Sequence, residues 1–289
     1  MRYREIAGGP QIVTRLQSDD IAYIINSLNQ YDEELIAKTG RNLRGIAFKA
    51  AGINEKRTKA LIDSMKIGVV PVTSGKGIIS GFSETVKEIA NHIGFSAFLT
   101  RKMDVAGIAE AFEKKCTVIM LADDDRFVAC NLKRGLVVDN ADATAGGYVS
   151  GLELMVGSLK GRRVLVIGCG RVGMSAVAKL IKIGATVSLY DINKHVSSTT
   201  AENIRNVLKI DVNVEENLRE ALLKHKLWLD ATPAKEIIDG SVITPETYVS
   251  APGVPCCLSA DSRELISDRI LHDPLQIGVA TMLIEAACV

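Results

Sequence analysis

The spacing of apolar positions changes character near residue 65. Ile21, Ile24, Ile25, Leu28, Tyr31 and Leu35 recur at three- and four-residue intervals after Ser18, which predicts an amphipathic helix with Ser18 as its cap. The first 65 residues read as helical throughout, with a second helix predicted over 55–65. Beyond that point short apolar runs at 68–72, 97–99 and 117–121 alternate with helical periods near 83–93 and 105–114. This strand and helix order predicts a small parallel sheet with right-handed crossovers. Residues 126–130 and 135–138 read as a hairpin or edge pair, and 144–159 as a long connecting helix. Gly146, Gly147, Gly151 and Gly157 weaken that helix, and close packing or a hinge would each account for them.

A different pattern occupies residues 163–173, Arg-Val-Leu-Val-Ile-Gly-Cys-Gly-Arg-Val-Gly, where a buried-strand run feeds directly into G-x-G-x-x-G. Gly168 lets the chain turn off the strand, Gly170 removes the side chain that would block a pyrophosphate, and Gly173 lets the next helix approach the sheet. That helix begins near Arg171 and Val172, so its unpaired N–H groups and the positive end of its dipole face the phosphates. Its apolar positions run to Ile181, Gly184 ends it, and 186–190 reads as the second strand. Asp191 closes that strand eighteen residues after Gly173, where a carboxylate accepts from both ribose hydroxyls and repels a 2'-phosphate. The predicted cofactor is NAD rather than NADP. Further strands are expected at 211–214, 227–231, 248–250 and 269–271, which places Thr232, Pro233, Ser250, Pro252, Gly253 and Asp273 at strand ends lining the ligand crevice.

The predicted class is therefore α/β: a C-terminal doubly wound parallel sheet of the Rossmann kind, preceded by a helical segment and a small α/β substrate domain. The boundaries read as 1–143 for the helical and substrate part, 144–160 for the connecting helix and 161–289 for the dinucleotide-binding domain. Composition narrows the partners. Lys and Arg total 35 against 34 Asp and Glu, which gives no electrostatic reason to expect nucleic acid or an anionic membrane. With no apolar span of membrane length and no hydrophobic N-terminal leader, a soluble cytoplasmic chain with a small-molecule ligand is expected. A homodimer is compatible with the sequence, although no motif specifies an oligomeric state. The six cysteines, Cys116, Cys130, Cys169, Cys256, Cys257 and Cys288, form no C-x-x-C pair, and no metal site is expected.

Two further clusters bear on a substrate. Thr73-Ser-Gly-Lys-Gly77 ends a predicted strand with hydroxyls and an ammonium, and Asp123, Asp124 and Asp125 follow the run 117–121. Clustered carboxylates in a cleft suit a substrate ammonium group, and this rather than a metal is the expected ligand. His272, beside Asp273, is the one histidine at a crevice strand end. Cys256-Cys257 follows a Pro-Gly-x-Pro loop but receives no catalytic assignment, and spacing alone identifies no general base.

Together, residues 68–79, Leu121-Ala-Asp-Asp124 with Asn131-Leu-Lys133, 166–173, Ala231-Thr-Pro233, 251–256 and Asp273-Pro-Leu-Gln-Ile-Gly278 resemble the PylD family, dehydrogenases that complete pyrrolysine biosynthesis. The likeness covers about residues 68–289. It implies NAD-dependent oxidation of the terminal amine of a dipeptide-like substrate, 3-methyl-D-ornithyl-N6-L-lysine, with closure of a pyrroline ring and release of ammonia. It also implies that Ser74, Asp123, Asp124 and Asp273 hold this substrate. The chain departs from the family pattern at Asp273, where the family carries Glu, and at Lys76, where it carries Asn. An amino acid or opine-type dehydrogenase is the alternative enzyme, and an NAD-binding redox sensor is a more remote one, since no DNA-binding module is evident.

Overall fold

The computed structural model of the chain describes residues 16–288, which divide into two compact units. The first comprises Arg41–Gly147 with residues 16–36 and 275–288; the second comprises Tyr148–Pro274 with Ala37–Gly40.

The first unit opens with helices α1 (Ser18–Ile21), α2 (Ile24–Thr39), α3 (Leu43–Ala51) and α4 (Lys59–Asp63). Ile21, Ile24, Leu28 and Leu35 of the predicted stripe are buried, whereas Ile25 is 40 % exposed. Gln17, rather than Ser18, is the N-cap of α1. The helix predicted over 55–65 is a single 3-10 turn, Glu55–Arg57, followed by the five-residue α4. Asn54 accepts from the Lys56 N–H and the Thr58 hydroxyl donates to the Glu55 carbonyl, so local side-chain bonds replace a continuous helical ladder there. α3 falls within the stretch that reads as helical, of which residues 1–15 lie outside the described ones, and its Leu43, Ile46, Ala47 and Phe48 are all buried.

The same unit continues with β1 (Lys66–Val70), α5 (Phe82–His92), β2 (Ser96–Leu99), α6 (Asp104–Glu113), β3 (Val118–Ala122), β4 (Phe127–Asn131) and β5 (Leu136–Asp139). Its sheet order is β2-β1-β3-β4-β5. β1 lies parallel to both neighbours, and β4 runs antiparallel to β3 and β5, as the hairpin pattern predicts. Helix α7 (Asn140–Val156) then leads into the second unit. Two of its glycines are packing positions: a Cβ on Gly147 would overlap Ile277, and one on Gly151 would overlap Leu271.

The second unit contains β6 (Arg163–Ile167), α8 (Arg171–Lys182), β7 (Thr186–Tyr190), α9 (Lys194–Leu208), β8 (Asn213–Val214), α10 (Leu218–Lys224), β9 (Leu227–Asp230), β10 (Tyr248–Ser250), α11 (Ala260–Leu265) and β11 (Ile270–Leu271). All pairings are parallel in the order β11-β10-β9-β6-β7-β8. The order reverses between β6 and β9, and in such doubly wound sheets the crevice at the strand C-termini of this switch point is the ligand site. Trp228 of β9 is fully buried, and its indole N–H donates to the His225 carbonyl (2.8 Å), so the large side chain is enclosed without an orphaned donor.

The last helix, α12 (Gln276–Cys288), belongs to the first unit, although the sequence reading runs the dinucleotide-binding domain from 161 to 289. It packs against α3, α5, β4 and β5 of the first unit. The Asn131 amide donates to the Ala286 carbonyl inside that unit (2.8 Å). α12 is apolar on nearly every face and buried almost throughout, so it must be enclosed, whichever domain precedes it in the chain. Among the described residues no helix is long and apolar enough to cross a membrane.

Candidate functional site

Three glycines at the end of β6 are fixed by three different constraints. Gly168 has φ of +88°, and a Cβ there would lie 2.8 Å from Thr232 Cγ2. Gly173 sits where α8 crosses the turn, and a Cβ would overlap the Gly168 carbonyl oxygen. Gly170 is the N-cap of α8 with φ of −72°, is exposed, and has nothing within 4 Å of its missing Cβ. The fold needs the first two glycines; it does not need the third. The open space at Gly170, at the start of a 12-residue helix with no side-chain cap, is the place a diphosphate would fill. Arg171 and Val172, half-buried, form the first turn beside it.

Asp191 stands at the end of β7 beside this turn. Its Oδ2 accepts from the Cys169 N–H (2.8 Å) and its Oδ1 from the Asn193 N–H (2.9 Å). A carboxylate offers about four lone-pair directions, so two remain for a ligand. Burial, and secondly the Asp191 charge, push the Cys169 thiol up to about 12, so it stays protonated and unreactive.

The ends of β9 and β10 were legible only in part. Thr232 is half-buried against Gly168, Pro233 is exposed, and Pro252 is half-buried in the loop after β10. What joins these loops is Asp230, a fully buried carboxylate that sequence reasoning passed over as the last residue of an apolar run. Its Oδ1 accepts from the Thr232 hydroxyl (2.8 Å) and N–H (3.2 Å), while its carbonyl accepts from the Gly253 N–H (3.0 Å). Gly253 leaves no room for a Cβ against the Thr232 carbonyl. Oδ2 has no partner of hydrogen-bond geometry, and the Cys257 thiol approaches the carboxyl only as a weak donor.

Burial is the main reason that the Asp230 carboxyl is pushed up from 3.8 to about 6. The folded state therefore holds this proton more tightly than the unfolded chain, so the stability that protonation provides is lost as pH rises from about 4 through about 6. Asp230→Asn removes this dependence. Relative to the parent, the variant is expected to gain on the order of 2–3 kcal/mol between about pH 4 and pH 7.5 in denaturant unfolding. A stability difference that does not vary with pH would show that Asp230 ionises normally.

Further along the loops, the Tyr148 hydroxyl donates to the Asp273 carbonyl (2.7 Å) and accepts from the Asp273 N–H (2.8 Å). Asp273, itself buried, is thus held through its backbone by a tyrosine of α7 that the sequence reading did not single out. Burial, with the neighbouring Asp273 carboxylate second, raises the Tyr148 phenol well above its ordinary range. The ring of His272 donates from Nδ1 to the Ala251 carbonyl (2.9 Å), since a carbonyl only accepts. Cys256 is buried, and its thiol is lowered to about 6, chiefly by the thiol hydrogen of Cys257 and then by the charge of His272.

In the first unit, Ser74 lies exposed in the loop after β1. The acids after β3 are partly committed to backbone. Asp123 Oδ1 accepts from the N–H groups of Asp125 (2.9 Å) and Arg126 (2.7 Å), which builds the β3–β4 turn. Asp124 Oδ2 accepts from the Lys76 N–H (2.6 Å), so it meets the Ser74 loop directly. Ser74 and Asp124 are brought together in this way, and Asp123 is their neighbour through the turn.

The chain is similar to known proteins at two levels, domain by domain and over nearly its whole length. Residues 20–138 match the family described as pyrrolysine biosynthesis protein PylD, N-terminal domain, and residues 139–235 match the alanine dehydrogenase/PNT C-terminal domain. A quinate dehydrogenase from Corynebacterium glutamicum in complex with NAD shares the fold at 14 % identity and a TM-score of 0.54, covering 78 % of this chain and 93 % of that one. A shikimate dehydrogenase in complex with NADP+ does so at 12 % identity and 0.56, covering 78 % and 90 %. The pyrrolysine synthase of Methanosarcina acetivorans is 33 % identical over 93 % of this chain and 97 % of its own length. That of Methanosarcina barkeri is 31 % identical over 93 % and 96 %. Identity at that level across both units shows the family, so the chain belongs to the pyrrolysine synthases, PylD, and is an oxidoreductase of pyrrolysine biosynthesis.

Proposed function

We propose that the chain oxidises the terminal amine-bearing carbon of 3-methyl-D-ornithyl-N6-L-lysine with NAD. The observation that carries the cofactor part is the open cradle at Gly170 beside Asp191, whose remaining lone pairs suit the two ribose hydroxyls. Bound NAD would supply the hydride acceptor. The C–H bond of the CH–NH2 group breaks, its hydride leaves, and the amine nitrogen loses a proton as the C=N bond forms. The substrate's own α-amine then adds to that carbon, and ammonia departs as the five-membered ring closes. Both reacting groups belong to one short chain, so ring closure has a high effective molarity and asks little of the protein.

The residues have two tasks in this reading. An alkyl amine with a pKa of about 10.4 is mostly protonated at neutral pH, and only its neutral form has the lone pair that assists hydride departure. Ser74, Asp123, Asp124 and Asp273 are the groups assigned to hold the amines of the substrate, with carboxylates as charge-matched acceptors. Thr232, Pro233 and Pro252, on the loops that Asp230 ties together, are assigned to the nicotinamide end of the cofactor. The test is incubation of the full chain with synthetic 3-methylornithyl-lysine and NAD. NADH absorbance should rise in step with a product that has lost ammonia and two hydrogens by mass. NADH formation with no loss of ammonia would point to another amine substrate, and no NADH at all would end the reading.

A further inference from the structure

Asp104 opens α6 with φ of +52°, in the left-handed region that non-glycine residues seldom adopt. Its surroundings dictate this conformation. The Asp104 N–H donates to the Pro71 carbonyl (2.9 Å), just past the end of β1. One turn later, Gly107 lies so close to Val70 Cγ1 that a Cβ would come within 2.7 Å of it. The first turn of α6 is thereby pressed onto the end of β1, and the Asp104 carboxylate faces the loop that follows.

There it takes both polar groups of one residue: Oδ1 accepts from the Thr73 N–H (2.7 Å) and Oδ2 from the Thr73 hydroxyl (2.6 Å). Three residues on, the Lys76 N–H donates to Asp124 Oδ2 (2.6 Å), and Gly75, at φ of +70°, has no room for a Cβ against that carboxylate. Ser74 and Gly75 lie between two carboxylates, one at the start of α6 and one in the β3–β4 turn. A helix gains nothing from a left-handed acid in its first turn that an ordinary N-cap would not supply better. We propose that Asp104 is a positioning residue, which grips Thr73 from the first turn of α6 and so fixes the Ser74 hydroxyl for the substrate. This inference rests on the reading of Ser74 as a substrate-holding group.

The test uses the full chain, with Asp104→Gly to remove the carboxylate while permitting the backbone conformation, and Asp104→Asn to retain one acceptor oxygen. Two readouts are taken together: steady-state oxidation of 3-methylornithyl-lysine, and amide hydrogen exchange at Thr73. Asp104→Gly is expected to raise the KM for the amine about tenfold, with kcat and the KM for NAD within about twofold, and to expose the Thr73 amide. Asp104→Asn should recover most of both, and Thr73→Val should add little on top of Asp104→Gly. Thr73→Val alone carries the same KM test if Asp104→Gly fails to fold. Unchanged Thr73 exchange, an unchanged KM, or a loss spread equally over both substrates would overturn the assignment. If the parent oxidises no 3-methylornithyl-lysine, the substrate reading falls separately, and Thr73 exchange then decides whether Asp104 holds the loop.

Discussion

Gly170→Leu is expected to abolish dinucleotide binding while leaving the fold as stable as the parent. At φ of −72° and ψ of −170° the backbone there is open to any residue, and no atom lies within 4 Å of the absent Cβ. A side chain can therefore leave the backbone there without a clash at its Cβ, and the effect of leucine on the unfolding midpoint should be small. With a cofactor the same side chain occupies the approach of the pyrophosphate to the first turn of α8, so affinity should fall by more than about 1000-fold. Gly173→Ala makes the contrast sharp. Its Cβ overlaps the Gly168 carbonyl in the free protein, so it should lower stability before any ligand is added. Calorimetric binding of NAD and thermal unfolding on both variants distinguish the two glycines. Parent-like NAD affinity in Gly170→Leu would mean that the diphosphate does not lie on this turn.

The contrast also shows what the sequence could and could not disclose. Periodicity located every strand of both sheets to within a few residues, because a four-residue apolar run such as Val164–Ile167 after Arg163 has few other uses. The glycine turn and Asp191 were legible because phosphate and ribose chemistry constrain spacing along a single stretch of chain. Asp230, Tyr148 and Asp104 were not, since each works through a partner that is near only after folding: Gly253 for Asp230, Asp273 for Tyr148 and Thr73 for Asp104. Asp230 ends an apolar strand and Tyr148 lies in a glycine-rich helix, contexts in which a polar group has no sequence period to reveal it. The placement of α12 was hidden for the same reason, since its uniform hydrophobicity says that it is buried but not against what.

Asp191→Ala should lower kcat/KM for NAD by about 100-fold or more, and should shift the ratio of NAD to NADP use by about 1000-fold towards NADP. Two effects are superimposed at this residue. The carboxylate holds the glycine turn through the Cys169 N–H (2.8 Å), and this part of the loss weakens both cofactors alike. In the proposed function its remaining lone pairs would also accept from the two ribose hydroxyls, charge-assisted bonds worth roughly 1.5–3 kcal/mol each. Its negative charge opposes a 2'-phosphate at the same place. Only the second effect and this repulsion alter the ratio, so the ratio, rather than the loss of activity, is the quantity that reports ribose recognition. Asp191→Asn provides the intermediate case: the shape is retained and the charge removed, so discrimination against NADP should relax while the turn stays largely in place. A variant that loses both cofactors in equal proportion would reduce Asp191 to a brace for the turn, and any preference between NAD and NADP would have to come from elsewhere in the chain.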